Sequence, residues 1–323
     1  IYFNMSRKPR RHNETKSTPD NGSDGIDLFP FTTEDCMEPQ KIIDLFEVCF
    51  KHVLESPDLQ EHIQVVKGDL YNRDYLAAFN NDDNRFAYAC RWSPARALAY
   101  SSVLASLEPI KTLLEDPETV RNVLCVGGGA SSELVALGSV FCRLKEYHPN
   151  SPSQLNIKLI DIADWSKVVS NLTTYMKDSW VYHSEKLNSQ FICNDILTSS
   201  PESLNLESLD LITLLFTTNE LFAEKRKETI KFLQLLNSNC RQGSLLLIAE
   251  SAGSYSHIKI GDKNFPVQFL IDTILVGKPG LNNGSWEIIS QSDSSWYRIN
   301  QKEVDYPMKL ENMRFFYRLY IKK

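Results

Sequence analysis

The sequence predicts an α/β protein with a doubly wound sheet, an antiparallel C-terminal hairpin and an N-terminal helical extension. From Val123 onward, short apolar runs alternate with amphipathic stretches, which is typical of parallel strands covered by helices on both faces. The last two strand-like runs, SWEIIS and MRFFYRLYIKK, have no helix between them, and this predicts an antiparallel hairpin at one edge of the sheet. Before Val123, apolar residues recur at helical spacing.

Residues 1–30 are predicted to lie outside the fold. Ile1 to Asn4 precede Met5 and are interpreted as the remnant of a cleavable tag. The segment that follows is polar, basic and rich in helix breakers, so we expect a disordered tail. Its cluster Arg7–Arg11 could steer the chain to nucleic acid or act as a nuclear import signal, and a solvated terminus is the alternative. We expect the protein in the nucleus or nucleolus, with the cytoplasm as the alternative.

Residues 31–118 form the predicted helical extension. Apolar residues between Ile42 and Val53 lie on one stripe of a helix that ends before Pro57. The segment SPARALAYSSVLASL predicts a second helix, with Ser93 as its cap and Pro94 in its first turn.

Residues 119–323 contain the predicted sheet. Five apolar runs predict its strands: NVLCV, IKLID, QFICN, LDLITLLF and GSLLLIAE. Four stretches predict helices: SELVALGSVFCRLKEY, WSKVVSNLTTYMKD, NELFAEKRKETIKFLQLLNSN and FPVQFLIDTILVG.

The composition restricts the kinds of partner. Lysine and arginine number 35 against 41 acidic residues, a formal net charge of −6, so a site for nucleic acid would need a local basic patch. The seven cysteines are scattered without the CxxC spacing of zinc or redox sites, and we expect no metal. No apolar run is long enough to predict a membrane-spanning helix, and we expect no membrane partner.

Three glycines, Gly127, Gly128 and Gly129, follow the first predicted strand. In an open parallel sheet, ligands bind beyond the carboxyl ends of the strands, where a strand turns into its helix. The bare turn predicts room for an adenosine-containing cofactor. A purely structural glycine turn is the alternative interpretation.

Two acidic residues end the next two strands. Asp161 ends IKLID and could accept both hydroxyls of a ribose, and Asp195 follows QFICN and could help to read an adenine amino group. Taken singly, each could instead cap a helix or lie in a solvated turn. Together with the glycines they match the pocket of class I S-adenosylmethionine-dependent methyltransferases. The antiparallel ending also favours this class over hydride-transferring dehydrogenases.

The tip of the fourth strand reads LLFTTNELF and lacks the [DNS]PP[YFW] motif of enzymes that methylate exocyclic amino groups. An imide nitrogen such as N3 of uridine must lose its proton before it attacks, and Glu220 is the candidate base. Asn219 could hydrogen-bond a uracil edge. Alternatively, Glu220 interacts with the dipole of the following helix and Asn219 caps it.

Several segments together resemble the fungal 25S ribosomal RNA uridine-N3 methyltransferases: RWSPARALAYSSVLASL, VLCVGGGASSELVAL, FTTNELF, IAESAGSYS and YPMKLENMRFFYRLYIKK. The resemblance extends from about Phe31 to the last residue. It implies a Rossmann-like methyltransferase domain at residues 119–323, S-adenosylmethionine as cofactor, and N3 methylation of one uridine in large-subunit ribosomal RNA within a pre-ribosomal particle. The alternatives are a methyltransferase for a protein or small molecule, and a catalytically silent ribosome assembly factor.

Besides the candidate catalytic residues Glu220 and Asn219, the predicted site residues fall into two groups. The cofactor group comprises Gly127, Gly128, Gly129, Glu133, Asp161, Asp195 and Phe216. The substrate group comprises Arg91, Arg96, Tyr100, Tyr255 and Arg314. An arginine of the helix before the glycine turn could contact the cofactor carboxylate or an RNA phosphate, or belong to a salt-bridged helix. Tyr255, like Tyr88 and Trp92, could stack on an extruded base or lie in the core. Arg314 and Arg318 are expected to share a face of the last strand.

Overall fold

The computed structural model describes residues 25–31, 33–181, 183–253, 256–260 and 262–323. The cluster Arg7–Arg11 and Tyr255 lie outside these residues. One sheet of eight strands dominates the fold, with the spatial order β1 (Leu28–Phe29), β9 (Trp286–Tyr297), β10 (Met313–Lys322), β6 (Leu245–Ser251), β5 (Leu211–Leu215), β2 (Val120–Val126), β3 (Gln154–Asp161) and β4 (Leu187–Cys193). Strands β7 (His257–Ile260) and β8 (Lys263–Pro266) form a separate antiparallel pair.

The five strands predicted from apolar runs pair in parallel, and β10 runs antiparallel to both of its neighbours. The predicted doubly wound sheet and antiparallel ending are therefore confirmed. Strand β10 does not lie at the edge, however, because it inserts between β6 and β9. Insertion buries six consecutive residues from Phe315 to Tyr320, which accounts for the apolar character of this run.

Helices cover both faces of the sheet. On the chain before the glycine turn they are α1 (Pro39–Cys49), α2 (Lys51–Leu54), α3 (Leu59–Tyr71), α4 (Tyr75–Ala78), α5 (Asp82–Arg91), α6 (Ser93–Ser106) and α7 (Glu108–Glu115). After the turn they are α8 (Ser132–Lys145), α9 (Ser166–Ser179), α10 (Pro201–Leu204), α11 (Thr218–Glu224), α12 (Arg226–Asn239) and α13 (Val267–Leu275).

Alternate residues of the central strands supply two hydrophobic clusters. In β2, Val123 and Cys125 join one cluster, while Leu124 and Val126 join the other. The first cluster includes residues of α1, α5 to α9 and the sheet, and α6 packs directly on α8. The helices between residues 31 and 118 thus share a core with the sheet and form one of its covering layers.

Three local features differ from the sequence predictions. The long helix predicted over 219–239 is divided at Lys225, whose backbone is not helical. The helix predicted from Phe265 begins at Val267, because the preceding residues form β8. Within the predicted tail, β1 pairs with β9, and the amide of Ile26 donates to the Tyr317 hydroxyl at 2.9 Å. A strand of two residues forms only because it pairs with another strand, so the local sequence gives almost no indication of it.

Within the described ranges, no helix combines the length and apolar character needed to cross a bilayer. Among the same residues, no cluster of three or more histidine, cysteine, aspartate or glutamate side chains is arranged to hold a metal ion.

Asp210 ties three central strands together at the edge of the sheet where β5 begins. Its side chain is 3% exposed and accepts hydrogen bonds from the Asn122 amide at 2.7 Å and from Arg121 Nη1 at 3.1 Å, and it also accepts from Arg241 Nη2. Its backbone carbonyl accepts from the Leu245 amide at 2.8 Å. Asp210 therefore connects the start of β5 to β2 through its carboxylate and to β6 through its backbone carbonyl, at the ends of the strands opposite the glycine turn.

We expect Asp210→Ala to lower the free energy of unfolding by about 2 to 4 kcal/mol, because it removes the shared partner of one buried amide and two guanidinium groups. Urea denaturation of the purified protein measures this change. Glu287→Ala, on the exposed side of β9, is the control and should change stability little. An Asp210→Ala variant as stable as the control would contradict this role.

Candidate functional site

A cleft of 1780 Å³ opens at the carboxyl ends of the parallel strands. Nine of the predicted site residues line it: Arg91, Arg96, Gly127, Asp161, Asp195, Phe216, Asn219, Glu220 and Arg314. Four described residues of the prediction do not: Tyr100, Gly128, Gly129 and Glu133. The structure thus collects most of the predicted residues around a single space.

The glycine turn is where the tips of three strands meet. Gly127 has a φ of 71°, in the left-handed region that favours glycine, and its amide donates to the Ile160 carbonyl at 2.8 Å. A Cβ at Gly127 would overlap the side chain of Thr217, and one at Gly129 would overlap the Trp165 ring. The sequence predicts that the glycines make room for a cofactor. In the structure, the side chains that Gly127 and Gly129 lack make room for Thr217 and Trp165 instead.

Asp161 is fixed by hydrogen bonds to the two loops around it. Oδ2 accepts from the Gly129 amide at 3.1 Å and Oδ1 accepts from the Ala163 amide at 3.1 Å. Burial raises the pKa of this carboxyl to about 6, although both amides oppose that shift. Asp161 is ionised above that pH and lies at the tip of the second parallel strand, so its carboxylate can accept ribose hydroxyls in the cleft.

Asp195 also lines the cleft, but both oxygens of its carboxylate already accept hydrogen bonds within the protein. Oδ1 accepts from the Leu197 amide at 2.9 Å, as in a helix cap, and Oδ2 accepts from Lys225 Nζ at 2.6 Å. The alternative interpretation as a cap therefore describes one of its oxygens. Its predicted contact with the adenine amino group stays a prediction.

Glu133 lies behind the glycine turn rather than in the cleft. Its side chain is 3% exposed, and Oε1 accepts from the Thr213 hydroxyl at 2.7 Å. Burial raises the pKa of Glu133 to about 8. In this position Glu133 supports the turn and does not reach the space where a cofactor would bind, so its assignment to the cofactor group is corrected.

Three acidic residues, Asp161, Glu220 and Glu250, line the cleft near the strand tips. Burial raises the pKa of Glu220 well above its ordinary value, and the nearby Glu250 and Asp161 raise it further. Burial also raises the pKa of Glu250 to about 7. Glu250 accepts hydrogen bonds from the amides of Asn219 at 3.1 Å and Ser251 at 2.9 Å. Glu250 thereby fixes the start of α11, which carries Glu220.

Asn219 is held in place by its side chain as well as its backbone. Its Nδ2 donates to the Ser256 hydroxyl at 3.0 Å, and that hydroxyl donates to the Ser251 carbonyl at 2.5 Å. These bonds orient the amide at the cleft surface. Among the described residues, one amide hydrogen and the carbonyl oxygen of the Asn219 side chain have no hydrogen-bond partner and can meet a ligand.

Arg96 lies on the inner wall of the cleft, and its Nη1 donates to the Tyr88 hydroxyl at 2.6 Å. Its guanidinium lies 5.3 Å from the centre of the Phe216 ring. Phe216 has a φ of 61°, a backbone conformation that costs a non-glycine residue about 1 kcal/mol or more. Within the described chain no carboxylate forms an ion pair with Arg96, so the alternative of a salt-bridged helix does not apply to it.

The other predicted substrate residues differ in availability. Arg91 is engaged, because it donates to Glu311 at 2.7 Å and to the Lys309 carbonyl at 2.9 Å. Arg314 is exposed at the cleft. Tyr100 is 3% exposed and lies beneath Phe216, so its assignment to RNA contact is corrected.

Arg318 does not share the exposed surface of Arg314. It is 4% exposed and donates to Asp293 at 2.6 Å and to Asp272 at 3.3 Å. Phe315, Tyr317 and Leu319 belong to one hydrophobic cluster, whereas Phe316 and Tyr320 belong to the other. Arg314 and Arg318 therefore share a face of β10, as predicted, and differ in burial.

Three residues of the site were not found by sequence analysis. Glu250 ends an apolar strand, and nothing local distinguishes it from a solvated acid. Ile162 follows Asp161 and is 46% exposed on the cleft, where an apolar side chain can pack against a purine ring. Trp165 closes the far side of the glycine turn against Gly129. Of these three residues, Ile162 had a local sequence signal, because it is an isolated apolar residue directly after the acid that ends a strand.

Basic residues outnumber acidic ones in the lining of the cleft. Asp161, Glu220 and Glu250 stand near one another at the strand tips. The lining as a whole carries six acidic residues and ten basic ones, namely Lys67, Arg73, Arg91, Arg96, Lys225, Arg226, Lys259, Arg298, Lys309 and Arg314. A protein with a net charge of −6 thus has a cleft whose lining is net positive.

Comparison with known proteins agrees with this geometry. The model of a SAM-dependent methyltransferase family matches residues 46–321. The chain belongs to this methyltransferase family. It is also 50% identical to the 25S rRNA (uridine(2843)-N(3))-methyltransferase of Saccharomyces cerevisiae, in an alignment that covers 91% of this chain and 88% of the yeast protein.

Solved structures are more distant from this methyltransferase. A SAM-dependent methyltransferase from Leishmania major is 10% identical, with a TM-score of 0.40 and coverage of 85% of this chain and 82% of that one. One from Clostridium acetobutylicum is 10% identical, with a TM-score of 0.38 and coverage of 79% and 98%. These scores are low, and the fold assignment rests on the strand order itself.

The residues of the cleft fit S-adenosylmethionine chemically. Asp161 offers a carboxylate for ribose hydroxyls, and the exposed Ile162 offers an apolar surface beside it. Arg96, without a carboxylate partner in the described chain, suits the carboxylate of the methionine moiety. The acidic groups at the strand tips suit a positively charged sulfonium.

We expect Gly129→Ala to lower the free energy of unfolding by about 1 to 3 kcal/mol, because the added Cβ overlaps the buried Trp165 ring. Thermal denaturation measures the effect. Gly68→Ala in α3 is the matched control, since no atom lies within 4 Å of its added Cβ. Alanine in that helix should stabilise the protein by up to about 1 kcal/mol. If the two variants have equal stability, the tight packing described for the turn is wrong.

We also expect the affinity for S-adenosylmethionine to fall as the pH is lowered through about 6, because protonation of Asp161 removes its negative charge and an acceptor site. Calorimetric titration from pH 8 to pH 5 measures this dependence. Asp161→Asn should bind roughly tenfold more weakly at pH 8 and lose most of the pH dependence. A variant with the wild-type pH profile would show that another group titrates.

Proposed function

We propose that this methyltransferase transfers a methyl group to N3 of a uridine in large-subunit ribosomal RNA. The observation that carries the proposal is the pair formed by Glu220 and Asn219 at the tip of β5. It places a carboxyl group without a hydrogen-bond partner in the described chain beside an oriented amide. An imide edge needs both, because its nitrogen must lose a proton and its two carbonyl oxygens accept hydrogen bonds. The half-identical yeast relative carries this activity in its name.

Glu220 is the residue to which we assign removal of the imide proton. In the free cleft, burial and the neighbouring acids Glu250 and Asp161 raise the pKa of Glu220 well above its ordinary value, which disfavours the carboxylate. Bound S-adenosylmethionine supplies the methyl group on a positively charged sulfonium. A cation in the cleft lowers the pKa of Glu220 and favours the carboxylate needed to accept a proton.

Asn219 and Glu250 position the reacting edge. The free Nδ2 hydrogen of Asn219 can donate to a uracil carbonyl oxygen while the other is held by Ser256. Glu250 holds the backbone amide of Asn219 and so maintains the distance between the tips of β5 and β6. Transfer to an oriented lone pair depends mainly on such positioning.

The basic lining of the cleft supports RNA as the substrate class, since local cations can engage phosphates although the protein as a whole is acidic. We further propose that the RNA is presented within a pre-ribosomal particle and that the protein acts in the nucleolus. Weak general attraction to polyanions is compatible with a substrate that a particle delivers.

The test is mass spectrometry of nucleosides from large-subunit ribosomal RNA of cells that lack the protein. We expect 3-methyluridine to be lost and to return when the wild-type protein is supplied. Unchanged 3-methyluridine would remove the proposed activity.

For the residue assignment, we expect Glu220→Gln to lower turnover at least about 100-fold, because general-base catalysis typically contributes this much. Affinity for S-adenosylmethionine should fall by much less than turnover, since glutamine keeps the shape of the carboxyl and loses only its charge. The control is Glu224→Gln, an exposed acid on the same helix and the same cleft. Full activity of Glu220→Gln, or equal losses in both variants, would exclude Glu220 as the base.

A further inference from the structure

A half-buried tryptophan lies between two arginines at the rim of the cleft. The guanidinium of Arg298 lies 4.4 Å from the centre of the Trp296 ring, and that of Arg314 lies 5.8 Å from it. Trp296 is half-buried and both arginines are exposed. We call these three residues the tryptophan–arginine cluster.

The strand pairing explains why these side chains meet. Trp296 in β9 is the direct partner of Arg314 in β10, so the two side chains share one face of the hairpin. The adjacent residues Tyr297 and Phe315 point to the opposite face and are buried in the core. Packing of that face therefore fixes the tryptophan–arginine cluster on the outer one.

The same pairing places the cluster beside the proposed reaction site. Strand β10 runs antiparallel to β6, and the Ala252 amide donates to the Arg314 carbonyl at 3.4 Å. Ala252 lies two residues after Glu250. All three residues of the cluster line the cleft that contains Glu220 and Asn219.

The arginines of the cluster have no ion-pair partner within the described ranges. Arg314 donates from Nε to the Ser294 hydroxyl at 3.0 Å, which orients it without neutralising it. Two other arginines near the hairpin differ, because Arg91 pairs with Glu311 and Arg318 pairs with Asp272 and Asp293. The cluster thus offers two available positive charges and an aromatic ring at one place.

We propose that the tryptophan–arginine cluster binds a single-stranded RNA nucleotide next to the target base. Its indole ring and guanidinium planes provide surfaces on which bases stack, and the arginine N–H groups reach the phosphates. Stacking requires an unpaired nucleotide, which distinguishes this surface from one that recognises duplex by shape. The inference rests on RNA as the proposed substrate class, but not on N3 of uridine as the methylated atom.

The test measures binding of a fluorescein-labelled oligouridylate of about 12 nucleotides, within the range of common single-strand sites, by fluorescence anisotropy. We expect Trp296→Ala to weaken binding about tenfold or more through loss of stacking, and Trp296→Phe to retain most of the affinity. In the double variant Arg298→Ala, Arg314→Ala, the slope of log affinity against log salt should become shallower by roughly 0.7 for each arginine removed.

Tyr147→Ala is the matched control. Tyr147 is also an exposed aromatic residue with an arginine on its ring, Arg143 at 5.5 Å, but it does not line the cleft. The control should bind the oligonucleotide like the wild type. All variants should keep their affinity for S-adenosylmethionine, which shows that they are folded.

Three outcomes would overturn the inference: no measurable binding by the wild type, wild-type affinity in Trp296→Ala, or equal affinity for a duplex of the same length. The readout contains no methyl transfer. An incorrect assignment of uridine N3 would therefore leave the binding result intact, and loss of the binding result would leave the nucleoside analysis intact.

Discussion

Contact between the tips of β2 and β3 is the constraint on which the cleft depends. The Gly127 amide bonds to Ile160 and the Gly129 amide bonds to Asp161, while the rings and methyl groups of Trp165 and Thr217 fill the space that side chains would need. Because the turn is bare, three strand tips approach one another more closely than ordinary residues would allow. That approach places Asp161 at the cleft and brings the start of α11 next to it.

The close approach has an electrostatic cost. Asp161, Glu220 and Glu250 come from three strand tips into a partly desolvated space, and each pKa is raised. A raised pKa in an acid means that the ionised form is less stable in the protein than in water, by about 1.4 kcal/mol for each unit. Arg96 opposes the shifts at Glu220 and Glu250 without forming an ion pair. A cationic ligand stabilises the ionised forms of these acids. The acids that are costly to ionise in the free cleft therefore favour binding of a sulfonium.

Sequence patterns predicted the sheet well, because continuous apolar runs are local signals of buried strands. They also predicted which strand tips would carry the site. They failed where distant residues determine the outcome. The break at Lys225 accompanies an ion pair with Asp195, thirty positions away, and the role of Glu250 depends on an amide in α11. The position of the glycine turn was predicted correctly from the sequence. The reason that glycine is needed there was not, because Thr217 and Trp165 occupy the space of the missing side chains and only the fold brings them to the turn.

The distribution of charge also determines what kind of RNA the protein can use. A net charge of −6 opposes general attraction to polyanions, and surface charges act over only about 8 to 10 Å at physiological salt. Among the described residues, the cleft offers the local site that we propose for RNA, where Arg298 and Arg314 form no ion pair within the described chain and Trp296 adds a stacking surface. Such a surface gains affinity only from a nucleotide that is already unpaired and close. The protein then discriminates between RNA segments by whether a segment presents an unpaired nucleotide at the cleft, and not by general attraction to RNA.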